Sequence, residues 1–133
     1  GFGDNINQYH WTTDGQTFNT ENVDHIYSSH GYFDAELIIT TEHSCKDTLI
    51  QQILVDSLPI ANFSYTNPCK SDVVTLTNLS NGNGKTLSTF FWDFDNGSTS
   101  DQEELIYIYP SAGTYSINLL ITNGHGCQDQ ITK

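Results

Sequence analysis

The feature that most constrains this chain is that it repeats itself. Tyr27, Gly31, Phe33, Leu37, Ile39, Thr40, His43, Cys45 and Asp47 return 82 positions later as Tyr109, Gly113, Tyr115, Leu119, Ile121, Thr122, His125, Cys127 and Asp129. Gly15 and Thr17 return as Gly97 and Thr99 at the same offset, whereas Trp11 returns as Trp92 at 81, so one residue is dropped between Trp11 and Gly15. A fixed period of this kind implies copies of one small unit rather than one larger fold. The second copy opens with two strand-like runs, Leu58 to Tyr65 and Val73 to Asn78, that have no counterpart ahead of Gly1, and Lys133 aligns with Gln51. The register therefore predicts a partial module over residues 1–57, lacking its first two strands, and a near-complete one over 58–133. A window cut through both ends of a periodic pattern is expected to belong to a longer tandem array. The linker from Val55 to Pro59 is short and carries a proline, so successive modules should be held semi-rigidly.

Within each copy the pattern is that of strands. Tyr115, Ile117, Leu119 and Ile121 lie on one face with Ser116, Asn118 and Thr122 on the other, Phe90, Trp92 and Phe94 alternate with Phe91 and Asp93, and Val74 and Leu76 with Thr75 and Thr77. Asn81-Gly82-Asn83-Gly84, Asp95-Asn96-Gly97, Ser111-Ala112-Gly113 and Asn123-Gly124-His125-Gly126 supply the turns. No segment has a helical period, so about seven short strands per repeat argue an all-β fold, a sandwich of two antiparallel sheets. Apolar residues make up only 36% of the chain, but they are concentrated in these blocks. Four lysines, no arginine and sixteen acidic residues give a net charge of −12, the wrong sign for a nucleic acid backbone or an anionic membrane surface. No apolar run approaches the length of a membrane span, so direct membrane insertion is not expected.

Phe90-x-Trp92-Asp93-Phe94-Asp95-Asn96-Gly97 followed by Tyr107-x-Tyr109-x-x-x-Gly113-x-Tyr115-x-x-x-Leu119 resembles the PKD (polycystic kidney disease) domain, with its Trp-Asp-Phe-Gly-Asp-Gly and His-x-Tyr-x-x-x-Gly-x-Tyr motifs. Asp95-Asn96-Gly97 replaces Gly-Asp-Gly, Tyr107 stands at the His position, and the first copy keeps that His as His25. It also shortens the first motif to Trp11-Thr12-Thr13-Asp14-Gly15, so its loop should be one residue tighter. The resemblance implies tandem immunoglobulin-like sandwiches whose core motif is Trp11, Trp92, Phe94, Gly97, Tyr109, Gly113 and Tyr115. Pro59-x-Ala61-x-Phe63 and Gly126-Cys127-x-Asp129 are similar to the cysteine-bearing PKD modules of large surface proteins in gliding bacteria with type IX secretion.

That resemblance also frames the three cysteines. Cys69 lies between the first two strands of the second copy and Cys127 in its last hairpin, and a disulfide between them is expected, which implies an oxidising compartment. Cys45 is the equivalent of Cys127 and is left unpaired by the truncation. A zinc or thiol-redox site is the alternative, against which stands the lack of any Cys-x-x-Cys.

The remaining residues with chemical potential read as structural. Trp11 and Trp92 could stack on sugars, but both sit at the inward parity of their strands and read as core. Asp93-x-Asp95-x-Gly97 with Glu104 echoes a calcium loop, yet its fifth position is Gly97, its sixth is Ser98 where a glycine is needed, and its flanks are strands. Some PKD modules of secreted proteases bind calcium, so the resemblance leaves a different oxygen cluster open, with no other cofactor implied. His10, His25, His30, His43 and His125 have no metal-ligand spacing, and no nucleophile elbow or phosphate loop is present. Asn62, Asn78 and Asn96 head Asn-x-Ser tripeptides. Asp47-Thr48-Leu49 and Asp56-Ser57-Leu58 resemble the O-glycosylation sites of the same bacterial group, which would modify Thr48 and Ser57.

These features suggest a non-catalytic extracellular module at the bacterial cell surface. The first expectation is a spacer and adhesion element in a long PKD array, of the gliding-motility adhesin or filament type. Its partners would be neighbouring PKD modules of the same chain and a surface polysaccharide or another surface protein. The alternative is an accessory domain of a secreted hydrolase that assists contact with protein or polysaccharide substrate. An enzyme is disfavoured because no nucleophile and base are paired.

Overall fold

The computed structural model describes residues 4–66, 69 and 73–133. The described residues form eleven strands and no helix: β1 (Ile6–Thr13), β2 (Gln16–Phe18), β3 (Gly31–Thr41), β4 (Lys46–Val55), β5 (Phe63–Tyr65), β6 (Val74–Asn78), β7 (Leu87–Asp93), β8 (Thr99–Ser100), β9 (Leu105–Tyr107), β10 (Asn118–Asn123) and β11 (Gln128–Thr132). They fall into two compact units, Gly1–Asp56 and Ser57–Lys133. All pairings are antiparallel.

The second unit is a β-sandwich. One sheet has the order β11-β10-β7-β8 and the other β5-β6-β9, and Ile60 makes an isolated bridge to Asn81 ahead of β5. The two-residue period of β6, β7 and β10 sends one side of each strand inward. Val74 and Leu76 from one sheet meet Trp92, Leu119 and Ile121 from the other, with Ala61, Phe63, Phe94 and Ile117 closing the core. The Phe63 ring stands edge-on to Trp92 at 5.1 Å between centroids, a favoured arrangement for aromatic pairs. Burying an indole also obliges its N–H to find an acceptor, which Trp92 does at 2.8 Å on the carbonyl of Gln102.

The expected strand from Gly113 starts late. β10 begins only at Asn118, and Tyr115 is half-buried outside it, because its hydroxyl bonds to Ser111 and its ring stacks on Tyr109, which holds residues 111–115 in a local loop. Gly113 does not take the positive φ expected of its turn, whereas Gly84, Gly97 and Gly126 do, as do Asn83 and Asp95. Gly82 is required for a different reason: a Cβ there would lie 1.8 Å from the Lys85 carbonyl oxygen.

The first unit is one sheet of order β2-β1-β3-β4, whose strands correspond in sequence to β8-β7-β10-β11 of the second unit. Both carry a register shift at the same place, between Ile6 and Gln8 in β1 and between Thr122 and Asn123 where β10 meets β7. The residue dropped after Trp11 is accounted for by the hairpin. Thr13 pairs with Gln16 across the two residues Asp14 and Gly15, both at positive φ, whereas the Phe94 amide bonds to the Ser98 carbonyl across three, Asp95 to Gly97.

Candidate functional site

The side chains singled out in the second unit gather at the turn after β7. The rings of Phe94 and Tyr107 stack at 4.1 Å, Tyr107 meets Tyr109 edge-on at 4.8 Å, and Tyr109 stacks on Tyr115 at 3.9 Å. Tyr109 donates its hydroxyl to the Phe94 carbonyl, and Tyr107 shares hydrogen bonds with the Asn96 amide. Burial first, then Tyr107, Tyr115 and the carboxylates of Asp95 and Asp93, push the Tyr109 phenol up to about 12. The acidic residues here hold the turn: Asp93 Oδ1 accepts the Asp95 amide at 3.0 Å and Asp95 Oδ2 accepts the Ser116 amide at 3.1 Å. Asn96 Oδ1 caps the Ser98 amide in the same way. No group of three or more His, Cys, Asp or Glu side chains placed to hold a metal occurs among the described residues.

The histidines are dispersed. His10 Nδ1 lies 2.7 Å from Asn19 Oδ1, His43 pairs with Asp4 at 3.1 Å on the surface, and His25 is packed between Phe18 and Tyr27 with Asp14 at 3.5 Å. An open groove of about 540 Å³ on the first unit is lined by Asn7, Gln8, Tyr9, His10, Asn19, Ile38, Thr40 and Lys46. Its walls offer hydrogen-bonding groups to a polar ligand. Thr48 is exposed on β4, and its amide is capped by Asp47; Ser57 is half-buried and donates its hydroxyl to the Asn83 carbonyl.

The expected disulfide is corrected by the structure. Cys45, Cys69 and Cys127 are all free thiols. The reason is strand direction. The Ala61 amide is held by Asp129 and the Phe63 carbonyl by Lys133, so the segment entering β5 runs alongside β11 in the same sense. Cys127 precedes β11, while Cys69 follows β5. The two thiols thus sit at opposite ends of the sandwich, separated by the length of a strand, about 20 Å at ~3.3 Å per residue, where a disulfide tolerates less than about 7 Å between Cα atoms.

Asp129 and Lys133 are the residues whose role the sequence did not disclose. Asp129 accepts the Ala61 amide at 2.8 Å, and Lys133 Nζ bonds Asn62 Oδ1 at 2.8 Å and the Phe63 carbonyl while lying over the Phe63 ring. Together they hold the first strand of the sandwich to the opposite sheet. The return of Asp47 as Asp129 was the available signal, but a surface aspartate on a strand carries no mark of its partner.

Several contacts occur in both units with matched residues. Trp11 Nε1 donates to Thr20 as Trp92 Nε1 does to Gln102. His25, Tyr27 and Phe33 form the same edge-on and tilted or stacked succession as Tyr107, Tyr109 and Tyr115. The Thr41 amide bonds the Cys45 carbonyl and Thr41 Oγ1 accepts the Cys45 amide, as Asn123 does with Cys127.

A two-sheet antiparallel sandwich with a buried tryptophan and an aromatic corner defines the class: an immunoglobulin-like, all-β module. The chain belongs to the PKD domain family, whose profile matches residues 56–133. Among solved structures it is similar to the PKD1 domain of Vibrio anguillarum Epp, at 28% identity and a TM-score of 0.56, covering 59% of this chain and 92% of that one. The PKD1 domain of the Vibrio cholerae metalloprotease PrtV gives 28% identity and a TM-score of 0.53, covering 58% of this chain and 93% of that one. Among curated proteins, a microbial collagenase of Vibrio alginolyticus is 43% identical over 49 residues, 37% of this chain. The pre-pro-metalloprotease PrtV of Vibrio cholerae is 35% identical over 52 residues, 39% of this chain. In each case the match spans 6% of the relative's length.

Proposed function

We propose that this chain is a non-catalytic, extracellular accessory segment of a larger secreted hydrolase, assisting contact with a protein or polysaccharide substrate. The observation that carries the reading is the PKD match over residues 56–133, together with relatives that are a collagenase and a pre-pro-metalloprotease. A net charge of −12 and a sandwich core closed by its own side chains suit a module that presents surface rather than a reaction centre. The surface-adhesin reading, with type IX secretion and a long array, draws on the repeat and on motif resemblance alone, and the hydrolase reading takes precedence. We also infer that the two units are copies of one module; the matched indole, aromatic and hairpin contacts support this. Thr48 is the better placed of the two O-glycosylation candidates, since modifying Ser57 would break its bond to Asn83.

The test is cosedimentation of the 133-residue chain with insoluble collagen fibres and with insoluble polysaccharide. Saturable retention on either supports contact with that substrate class. Absence of retention on both overturns the contact-assisting role.

A further inference from the structure

Among the described residues, the first unit leaves one face of its sheet without the layer that covers the matching face of the second. On the register of β1, β3 and β4, Tyr9, Trp11, Leu37, Ile39 and Leu49 share a face. Their counterparts Phe90, Trp92, Leu119, Ile121 and Ile131 face β5 and β6, and Trp92, Leu119 and Ile121 are completely buried. Tyr9, Trp11, Leu37 and Ile39 are only half-buried, and Leu49 is 62% exposed. The loop after β2 reaches this face through Tyr27 on Phe33 and on the Thr13 hydroxyl and through the Thr20 carbonyl, which accepts the Trp11 indole N–H.

The polar anchors are duplicated as well. Asp129 and Lys133, four residues apart, grip the Ala61 amide and the Phe63 carbonyl. The residues at those positions of β4 are Asp47 and Gln51, an acceptor and a donor on the same face with the same spacing. Asp47 Oδ1 accepts the amide of its own neighbour Thr48, and Gln51 Nε2 bonds the carbonyl of its own neighbour Gln52.

We propose that this face is a docking surface for an antiparallel strand pair of the β5–β6 type. Its first strand would run alongside β4 with an Ala-x-Phe pattern, its amide on Asp47 and its carbonyl on Gln51, and its second would bring Val-x-Leu over Trp11 and Leu37. The inference rests on the first unit being a copy of the second, not on any substrate. What argues for this occupant is the second unit, where that chemistry covers that face in cis. Burying a Phe, a Val and a Leu against an indole gives each side a dry partner.

The experiment joins a second copy of residues 57–81 directly ahead of residue 1, which reproduces the spacing of the second unit because Trp11 and Trp92 stand 81 positions apart. It compares this chain with the 133-residue chain by acrylamide quenching of tryptophan and by amide exchange over β1 and β3. Trp92 is fully buried, so the quenchable emission comes from Trp11. The joined chain should remain monomeric, lose that quenchable component several-fold and slow exchange in β1 and β3. Phe63→Asp in the added copy alone should restore quenching, and Asp47→Ala should lower the melting point of the first unit in the joined chain while leaving the unjoined chain unchanged. Unaltered quenching and exchange on joining would overturn the proposal. So would a 133-residue chain that already sediments as a dimer with Trp11 shielded, which would assign the face to a second copy.

Discussion

At the scale of single residues the second unit depends on a few aromatic positions. Trp92 combines complete burial, an edge-on Phe63 and a satisfied indole N–H, so Trp92→Ala should cost about 3–5 kcal/mol in urea denaturation. Trp11→Ala should cost clearly less, because that ring is half-exposed with the same hydrogen bond. Tyr109 gives a pH-dependent counterpart. Its phenol is held up at about 12 in the folded chain against about 10 when unfolded, so the folded state retains the proton longer. The stabilisation is fully present below pH ~10 and is lost as pH rises through that window to ~12. Absorbance titration at alkaline pH should show a late step near pH 12, and Tyr109→Phe should remove it. The cysteines are testable at this scale too: peptide mapping without reductant should recover no peptide linking Cys69 to Cys127.

At the scale of strands and turns, the segment entering the short β5 is held by the side chains of Asp129 and Lys133 in addition to the β5–β6 ladder. Asp129→Ala removes a charged acceptor from the Ala61 amide, a loss of about 1.5–3 kcal/mol, and should speed amide exchange at Ala61 and Phe63 before it affects β7 or β10. A transition in which all strands lose protection equally would show that the anchor is not local. The turn before β7 is constrained by space instead of hydrogen bonding. Gly82→Ala forces a methyl group against the Lys85 carbonyl and should destabilise the second unit by about 1–3 kcal/mol. The turns after β1 and β7 explain how one lost residue is tolerated: a two-residue hairpin and a three-residue one both reverse an antiparallel pair, so the paired strands keep their register.

For the whole molecule, two units with unequal cores should not melt together. The second has a closed sandwich core, the first a single sheet. Calorimetry of the 133-residue chain should resolve two transitions, and residues 57–133 expressed alone should reproduce the upper one. A single transition lost on separating the units would mean that neither is autonomous.

What the sequence by itself determined is the class of fold and the inward side of its strands. Alternation at Val74 and Leu76, at Trp92 and Phe94 and at Leu119 and Ile121 depends only on the two-residue period of a strand, which is local. The one-residue contraction after Trp11 was legible for the same reason. Only the tertiary structure decided matters that depend on which strand ends meet. Cys69 and Cys127 are attractive partners along the chain, but the direction of β5 beside β11 carries them to opposite ends. Asp129 and Lys133 look like ordinary surface charges until that same alignment puts the backbone of Ala61 and Phe63 within their reach. Tyr115 follows the alternation in sequence, yet its hydroxyl and ring find Ser111 and Tyr109 and hold it out of the strand. Local periodicity specifies which way a side chain points, and the long-range packing of strands specifies what it meets there.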